Sequence, residues 1–285
     1  MSSVIIAGAT GYLGRHLVTA YKSHGYHVRA LVRSAARAAD LGADELIEAE
    51  ATRPASFAGR FAGADLIVSA LGITRQRDGL SYRDVDYQAN RNLLDEALVA
   101  NIARFAYVHV LGADKMQGVP LVDAKQAFVA GLQKAPIAST VIAPSGYFSD
   151  MGDFFAMAKS GRVWQFGDGH LRLNPIHGAD LAEATVAATE AGRDWLDIGG
   201  PDILSQRQIG ELAFAALNRP AKITELPDWL RKLVLAVVPA VTPQSISGPL
   251  KFFLTGLAME MVGEQHGTHH LADHFARLAR EEQAG

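Results

Sequence analysis

Three closely spaced glycines carry the strongest chemical signal in this 285-residue chain: Gly8-Ala9-Thr10-Gly11-Tyr12-Leu13-Gly14. An apolar run ends at Ala7 and a helical pattern opens near Leu13, so the glycines fall on a strand-to-helix turn. Glycine allows a sharp turn and a close backbone approach to a ligand. The last glycine lets helix and strand pack tightly, and the helix N-terminus supplies N–H donors and partial positive charge. Together these features suit a pyrophosphate, which makes Gly8, Thr10, Gly11, Tyr12, Leu13 and Gly14 the expected dinucleotide-binding residues. A glycine-rich turn that only joins strand to helix is the weaker reading.

The end of the second strand reads Ala30-Leu31-Val32-Arg33-Ser34, with no acid to hold a ribose 2'-hydroxyl. A guanidinium at Arg33 matches a 2'-phosphate in shape and charge, with Ser34 and Arg37 as nearby donors. NADP(H) is therefore expected ahead of NAD(H), against the alternative that Arg33 is an ordinary solvated strand-end arginine. After the fourth strand, Leu71-Gly72 is expected to approach the adenosine or ribose edge, because glycine permits close passage of backbone.

The elements that must position these residues follow from alternation of short apolar runs with helix-length stretches, the pattern of a parallel sheet covered on both faces. Strands are expected over 4–7, 27–32, 45–48, 66–70, 105–110, 139–142 and 195–198. Helices are expected over 13–23, 53–61, 87–101 and 123–133, with more starting at Ser205 and Asp228. The fold class is α/β: a doubly wound parallel Rossmann sheet over 1–150, with a smaller C-terminal substrate or lid lobe over 151–285 packed on it. A net charge of -3 gives no basic field for nucleic acid. The absence of cysteine removes thiol chemistry and disulfides. Without a basic flank or long apolar core, the N-terminus does not read as a signal peptide, so the expected location is cytoplasmic.

These motifs, with SALG after the fourth strand and PSGYFSDM after the sixth, resemble the atypical short-chain dehydrogenase/reductases, within them the NmrA-like and isoflavone-reductase-like group. The later stretch from Phe166, FGDGHLRLNPIHGADLA and DIGGPDILSQRQIGELA, is similar to divinyl-chlorophyllide reductases and the related complex I accessory subunit. The resemblance runs to about Pro227. It places Lys125 as the lysine that accompanies a catalytic tyrosine in common members, with Leu121 at the tyrosine position. His109 stands near the position of the usual serine. The usual alcohol-to-ketone machinery is therefore incomplete. The resemblance implies that Lys125 holds the nicotinamide ribose and acts as an acid, with a solvated helix lysine as the alternative reading. It also places Pro144 beside the nicotinamide, with Tyr147 as a substrate contact or proton donor. His109 is either a proton relay or a satisfied histidine beneath the cofactor, and Tyr147 is equally readable as a core aromatic.

Asn174-Pro175-Ile176-His177 and Asp180 are expected to cap a helix and order a cleft wall, with His177 not catalytic. His266, His269, His270 and His274 share a tail with Asp273. Paired helix histidines lacking a third ligand carry no metal expectation. The apolar runs 229–238 and 249–262 are too short and interrupted to span a bilayer. Core packing or a dimer contact is their expected use, and a lid or peripheral membrane contact the minor one. The functional expectation is an NADP(H)-dependent reductase of a small or medium apolar substrate, such as a conjugated double bond or a quinone. The alternative is a non-catalytic NAD(P)-binding redox sensor or scaffold. A monomer or homodimer is expected, with no nucleic acid partner.

Overall fold

The computed structural model describes residues 1–73 and 79–284. The chain divides into two compact units, one of residues 1–143 with 182–196, the other of 144–181 with 197 onward.

In the first unit, β1 (Ser3–Ala7), α1 (Tyr12–Ser23), β2 (His27–Val32), β3 (Glu45–Glu48) and β4 (Leu66–Ser69) precede a π-helical turn at Arg83–Ala89. That turn runs directly into α2 (Asn90–Val99), followed by β5 (Arg104–Val108), α3 (Pro120–Leu132) and β6 (Ala138–Pro144). The strands order as β3-β2-β1-β4-β5-β6. All the pairings are parallel, with Ile6 opposite Ala30 on one side and Val68 on the other. Every residue of β1 and β4 is buried, as expected of strands covered on both faces. One face is filled by Ile5, Ile67, Phe105, Tyr107, Leu93 and Phe128. The chain leaves β1 toward β2 and β3, then crosses back to β4 on the opposite side. A crevice is therefore expected beyond the carboxyl ends of β1 and β4.

The helix expected over 53–61 is corrected to a single 3-10 turn at Pro54–Ser56. Gly59 and Gly63 adopt positive φ, which breaks a right-handed helix. Phe57 and Phe61 instead stack at 5.3 Å in the core. The helix expected from Tyr87 begins earlier, as the π turn, and ends where Asn101 takes φ 55°.

The second unit holds α4 (Gly152–Lys159), β7 (Val163–Phe166) and β8 (Arg172–Leu173); α5 (Gly178–Glu190) and β9 (Trp195–Gly199) cross the division. It continues with β10 (Leu204–Ser205), α6 (Gln206–Ala216), β11 (Ile223–Leu226), α7 (Asp228–Val241), α8 (Gln244–Gly256), β12 (Glu264–Gln265) and α9 (Leu271–Ala284). Ser205 and Gln208 form a reciprocal capping box on α6. β7 pairs with β11, β8 with β10, and β9 with β12.

Candidate functional site

The glycine turn closes against the end of β4. Gly8 has φ +79°, and a Cβ there would stand 2.9 Å from the carbonyl of Ala70. Gly11 is the N-cap of α1 and brings no capping side chain, and the helix has no acid in its first turn. This helix end thus presents partial positive charge without a built-in anion. Leu13 is buried beneath it, whereas Thr10, Gly11 and Tyr12 are exposed. A Cβ on Gly14 would lie 2.1 Å from the Gly8 carbonyl oxygen, a backbone atom that cannot swing aside. Gly14→Ala should therefore cost about 1–3 kcal/mol by overpacking and open the turn. The expected result is a lower unfolding temperature together with nucleotide binding weakened at least tenfold in an equilibrium titration.

At the end of β2, Arg33 and Arg37 are exposed and Ser34 is half-buried, with Arg37 in a one-turn 3-10 helix, Ala36–Ala38. Sequence reading missed Glu48 here. It closes β3 and accepts a 2.8 Å hydrogen bond from the Ala35 N–H, because parallel pairing sets the ends of β2 and β3 side by side.

Beyond β4 and β5 lies a buried ion pair. Asp86, inside the π turn, is wholly buried, and its Oδ1 stands 3.2 Å from Lys125 Nζ. That approach lacks hydrogen-bond alignment. Asp86 Oδ2 accepts the N–H of Ile73 at 3.3 Å. Lys125 Nζ donates to Val108 O at 3.1 Å and to Tyr107 Oη at 3.4 Å, and lies 5.0 Å from the Tyr107 ring centre. Burial pushes the Asp86 carboxyl above its ordinary value, opposed by the Lys125 charge. Gly72 covers the pair: a Cβ there would sit 2.6 Å from Asp86 Oδ1 and 3.0 Å from Lys125 Nζ. Asn90 braces the floor by donating to the carbonyls of Val85 and Asp86, both at 3.1 Å, and by receiving the Ser69 hydroxyl at 2.5 Å.

Gly72 and Lys125 are thus brought together, with Leu71 tied to the same floor by its carbonyl accepting from Asn90 at 3.4 Å, and with Asp86 as the member sequence reading missed. A signal existed: Asp86 and Asn90 interrupt an otherwise apolar helical stripe that continues through Ala89, Leu93 and Ala97.

His109 lies on the same side but inside the core, with Nε2 2.9 Å from Gln126 Oε1. Its Nδ1 is buried without a hydrogen bond. Burial, reinforced by the charge of Lys125, pushes the imidazole down to about 4, so it is neutral at physiological pH. Leu121 is buried as well.

Pro144 and Tyr147 belong to the second unit. There Tyr147 bridges Ile176, and its N–H donates to Asp150 at 3.4 Å. Burial raises the Asp150 carboxyl to about 6, which makes it a titrating group that the sequence did not single out. Asn174 is a hub, donating to the carbonyls of Gly200 and Gly263 and accepting the N–H of Gly263. Asp180 accepts the N–H groups of Thr268 and His269, and its Oδ1 lies 2.7 Å from His269 Nδ1. Asp180 thus anchors the turn at Thr268 and His269. His177 accepts the Ala179 N–H and stacks on His269. Among the described residues no group of three or more His, Cys, Asp or Glu could hold a metal.

Glycine turn, open helix end and topological switch together define a Rossmann-type dinucleotide-binding protein. A family described as NAD(P)H-binding matches residues 8–153, and the chain belongs to that family. It is 27% identical to a photosystem II assembly factor, Ycf39, of Guillardia theta, over 79% of this chain and 73% of that one. It is also 27% identical to the chloroplastic divinyl chlorophyllide a 8-vinyl-reductase of Zea mays, over 83% of this chain and 65% of that one. Among solved structures, an NADPH-dependent quinone oxidoreductase from Escherichia coli, complexed with NADPH, matches with a TM-score of 0.75 at 18% identity, covering 96% of this chain and 99% of that chain. At that identity the likeness is one of fold. The expected kinship with reductases of the divinyl-chlorophyllide type is thereby borne out.

Proposed function

We propose that this protein is an NADP(H)-dependent reductase acting on a small or medium apolar substrate with a conjugated double bond or a quinone. One observation carries the reading: the glycine turn abuts Ala70, and two residues further on Gly72 roofs the Lys125–Asp86 pair. A turn suited to phosphate and a fixed ammonium are thus placed near each other beyond β4, which supports the reading. In this reading Gly8, Thr10, Gly11, Tyr12, Leu13 and Gly14 hold the pyrophosphate. Arg33, Ser34 and Arg37 receive the 2'-phosphate, Leu71 and Gly72 pass the adenosine or ribose edge, and Lys125 and Pro144 serve the nicotinamide end. When bound, the nicotinamide supplies the hydride.

The chain's own residues position and protonate. Val108 O, Tyr107 Oη and Asp86 fix the Lys125 ammonium from three directions, so it acts as an anchored cation. Such a group stabilises charge developing on a substrate oxygen without first reorganising. Tyr147 and His109 remain candidate proton carriers in this reading, with His109 restricted to the neutral form near pH 7.

A second reading has specific support. Leu121 cannot move a proton, and the relatives include a protein named as an assembly factor. There the nucleotide is bound without turnover, as a redox sensor or scaffold.

The test is titration with NADPH and NADH, then NADPH oxidation with a panel of enones, quinones and vinyl-bearing tetrapyrroles. Turnover of one panel member establishes the reductase. Tight binding without turnover favours the sensor or scaffold, and binding of neither nucleotide overturns both. Arg33→Ala should weaken NADPH by about 10- to 100-fold, the loss of a charge-assisted phosphate contact, and leave NADH within about twofold. Equal weakening of both would remove Arg33 from the 2'-phosphate.

A further inference from the structure

We infer that α7 and the start of α8 form a docking face for an anionic lipid surface, lying in the plane of the headgroups. Trp229, Leu233, Val237 and Val241 are 63%, 48%, 46% and 72% exposed. A spacing of four sets them in one stripe along α7, about 18 Å long at 1.5 Å per residue. Ile246 extends it onto α8, 58% exposed. Five of the eleven exposed large hydrophobics among the described residues thus fall within 229–246, a concentration that scattered surface residues do not produce.

The charge pattern selects the occupant. From Trp229 to Met259 the chain has no Asp or Glu, where its average acid content would place about three, yet it carries Arg231, Lys232 and Lys251. Asp228, at the helix start, pairs with Arg231 at 2.7 Å and Lys232 at 3.2 Å. Lys232 is nonetheless well exposed beside Leu233, placed for its stem to lie along the apolar stripe and its ammonium to reach phosphate. Arg231 is tied inward, its side chain only 12% exposed and donating to Asp228 and the Leu254 carbonyl, which leaves Lys232 as the well-exposed cation of α7. An anionic bilayer surface pairs the outward ammonium of Lys232 and covers the stripe. The stripe is shorter than a bilayer core, and among the described residues no helix is long and apolar enough to cross one, so the fitting arrangement is interfacial.

The experiment is flotation of the full chain with phosphatidylcholine vesicles, with and without phosphatidylglycerol. It is run beside Leu233→Glu/Val237→Glu, whose side chains are half exposed and whose folding is checked by circular dichroism. The expected result is flotation with the anionic vesicles, at least tenfold weaker with neutral vesicles and in 0.5 M salt, and lost in the double variant. Tryptophan emission should be quenched by brominated lipid in the parent and much less in Trp229→Phe. The inference is overturned if the parent stays unbound with both vesicle types, or if the double variant floats equally well. A dimer by light scattering that dissolves in the double variant, without vesicle binding, would overturn it in favour of a second copy.

Discussion

Lys125→Ala should lose about 3–5 kcal/mol of stability at neutral pH, the range for removing one partner from a buried ion pair. The reason is Asp86. Its carboxyl is fully buried, the Lys125 ammonium stands 3.2 Å from Oδ1, and burial already pushes its pKa upward against that charge. Without the lysine the shift grows. A carboxyl whose folded pKa exceeds its unfolded value contributes most at low pH and costs stability as pH rises toward the folded value. The deficit of Lys125→Ala should therefore shrink on acidification, and denaturant melts at several pH values would show it. Adding Asp86→Asn should restore much of the loss, because two neutral groups replace one stranded charge. A single variant within about 1 kcal/mol of the parent, or no recovery in the double variant, would mean that the pair is not the stabilising unit of this site.

His109 should set part of the acid limit of the fold. Burial, with help from the Lys125 charge, lowers it from 6.5 to about 4. Above 6.5 both folded and unfolded states leave the ring neutral and stability is full. As pH falls toward 4 only the unfolded chain takes up the proton, and about 3 kcal/mol is lost across that window. His109→Leu removes the titrating ring, so its stability profile should be flatter there than the parent's. The same property bears on function, since a ring that stays neutral to about pH 4 keeps one N–H, donated from Nε2 to Gln126 Oε1, and carries no positive charge at pH 7. If NMR titration of the ring showed an ordinary midpoint near 6.5, both conclusions would fall.

How much of this was legible beforehand depends on the range of the interactions involved. The glycine turn was readable because its conformational demands are local: Gly8 takes φ +79° and Gly14 packs on the Gly8 carbonyl within one short segment. The strands over 27–32 and 45–48 were readable from apolar runs alone and occupy those residues. The helix expected over 53–61 was not. Local propensity there is overridden by two glycines at positive φ and by the burial of Phe57 against Phe61. Lys125 was singled out through resemblance, but its counter-ion is 39 positions away in a π turn that no simple periodicity announces. Glu48 reaches the end of β2 only because parallel pairing aligns two strand ends.

By itself, then, the order of residues determined the α/β class, the dinucleotide turn and the absence of a carboxylate on the Arg33 strand end, because each rests on neighbours within a few positions. Only the tertiary structure decided that Lys125 is an anchored ion, that His109 is a buried neutral ring, and that the α7 stripe faces outward. Burial and charge pairing are properties of what the folded chain sets around a residue, and sequence proximity does not specify them.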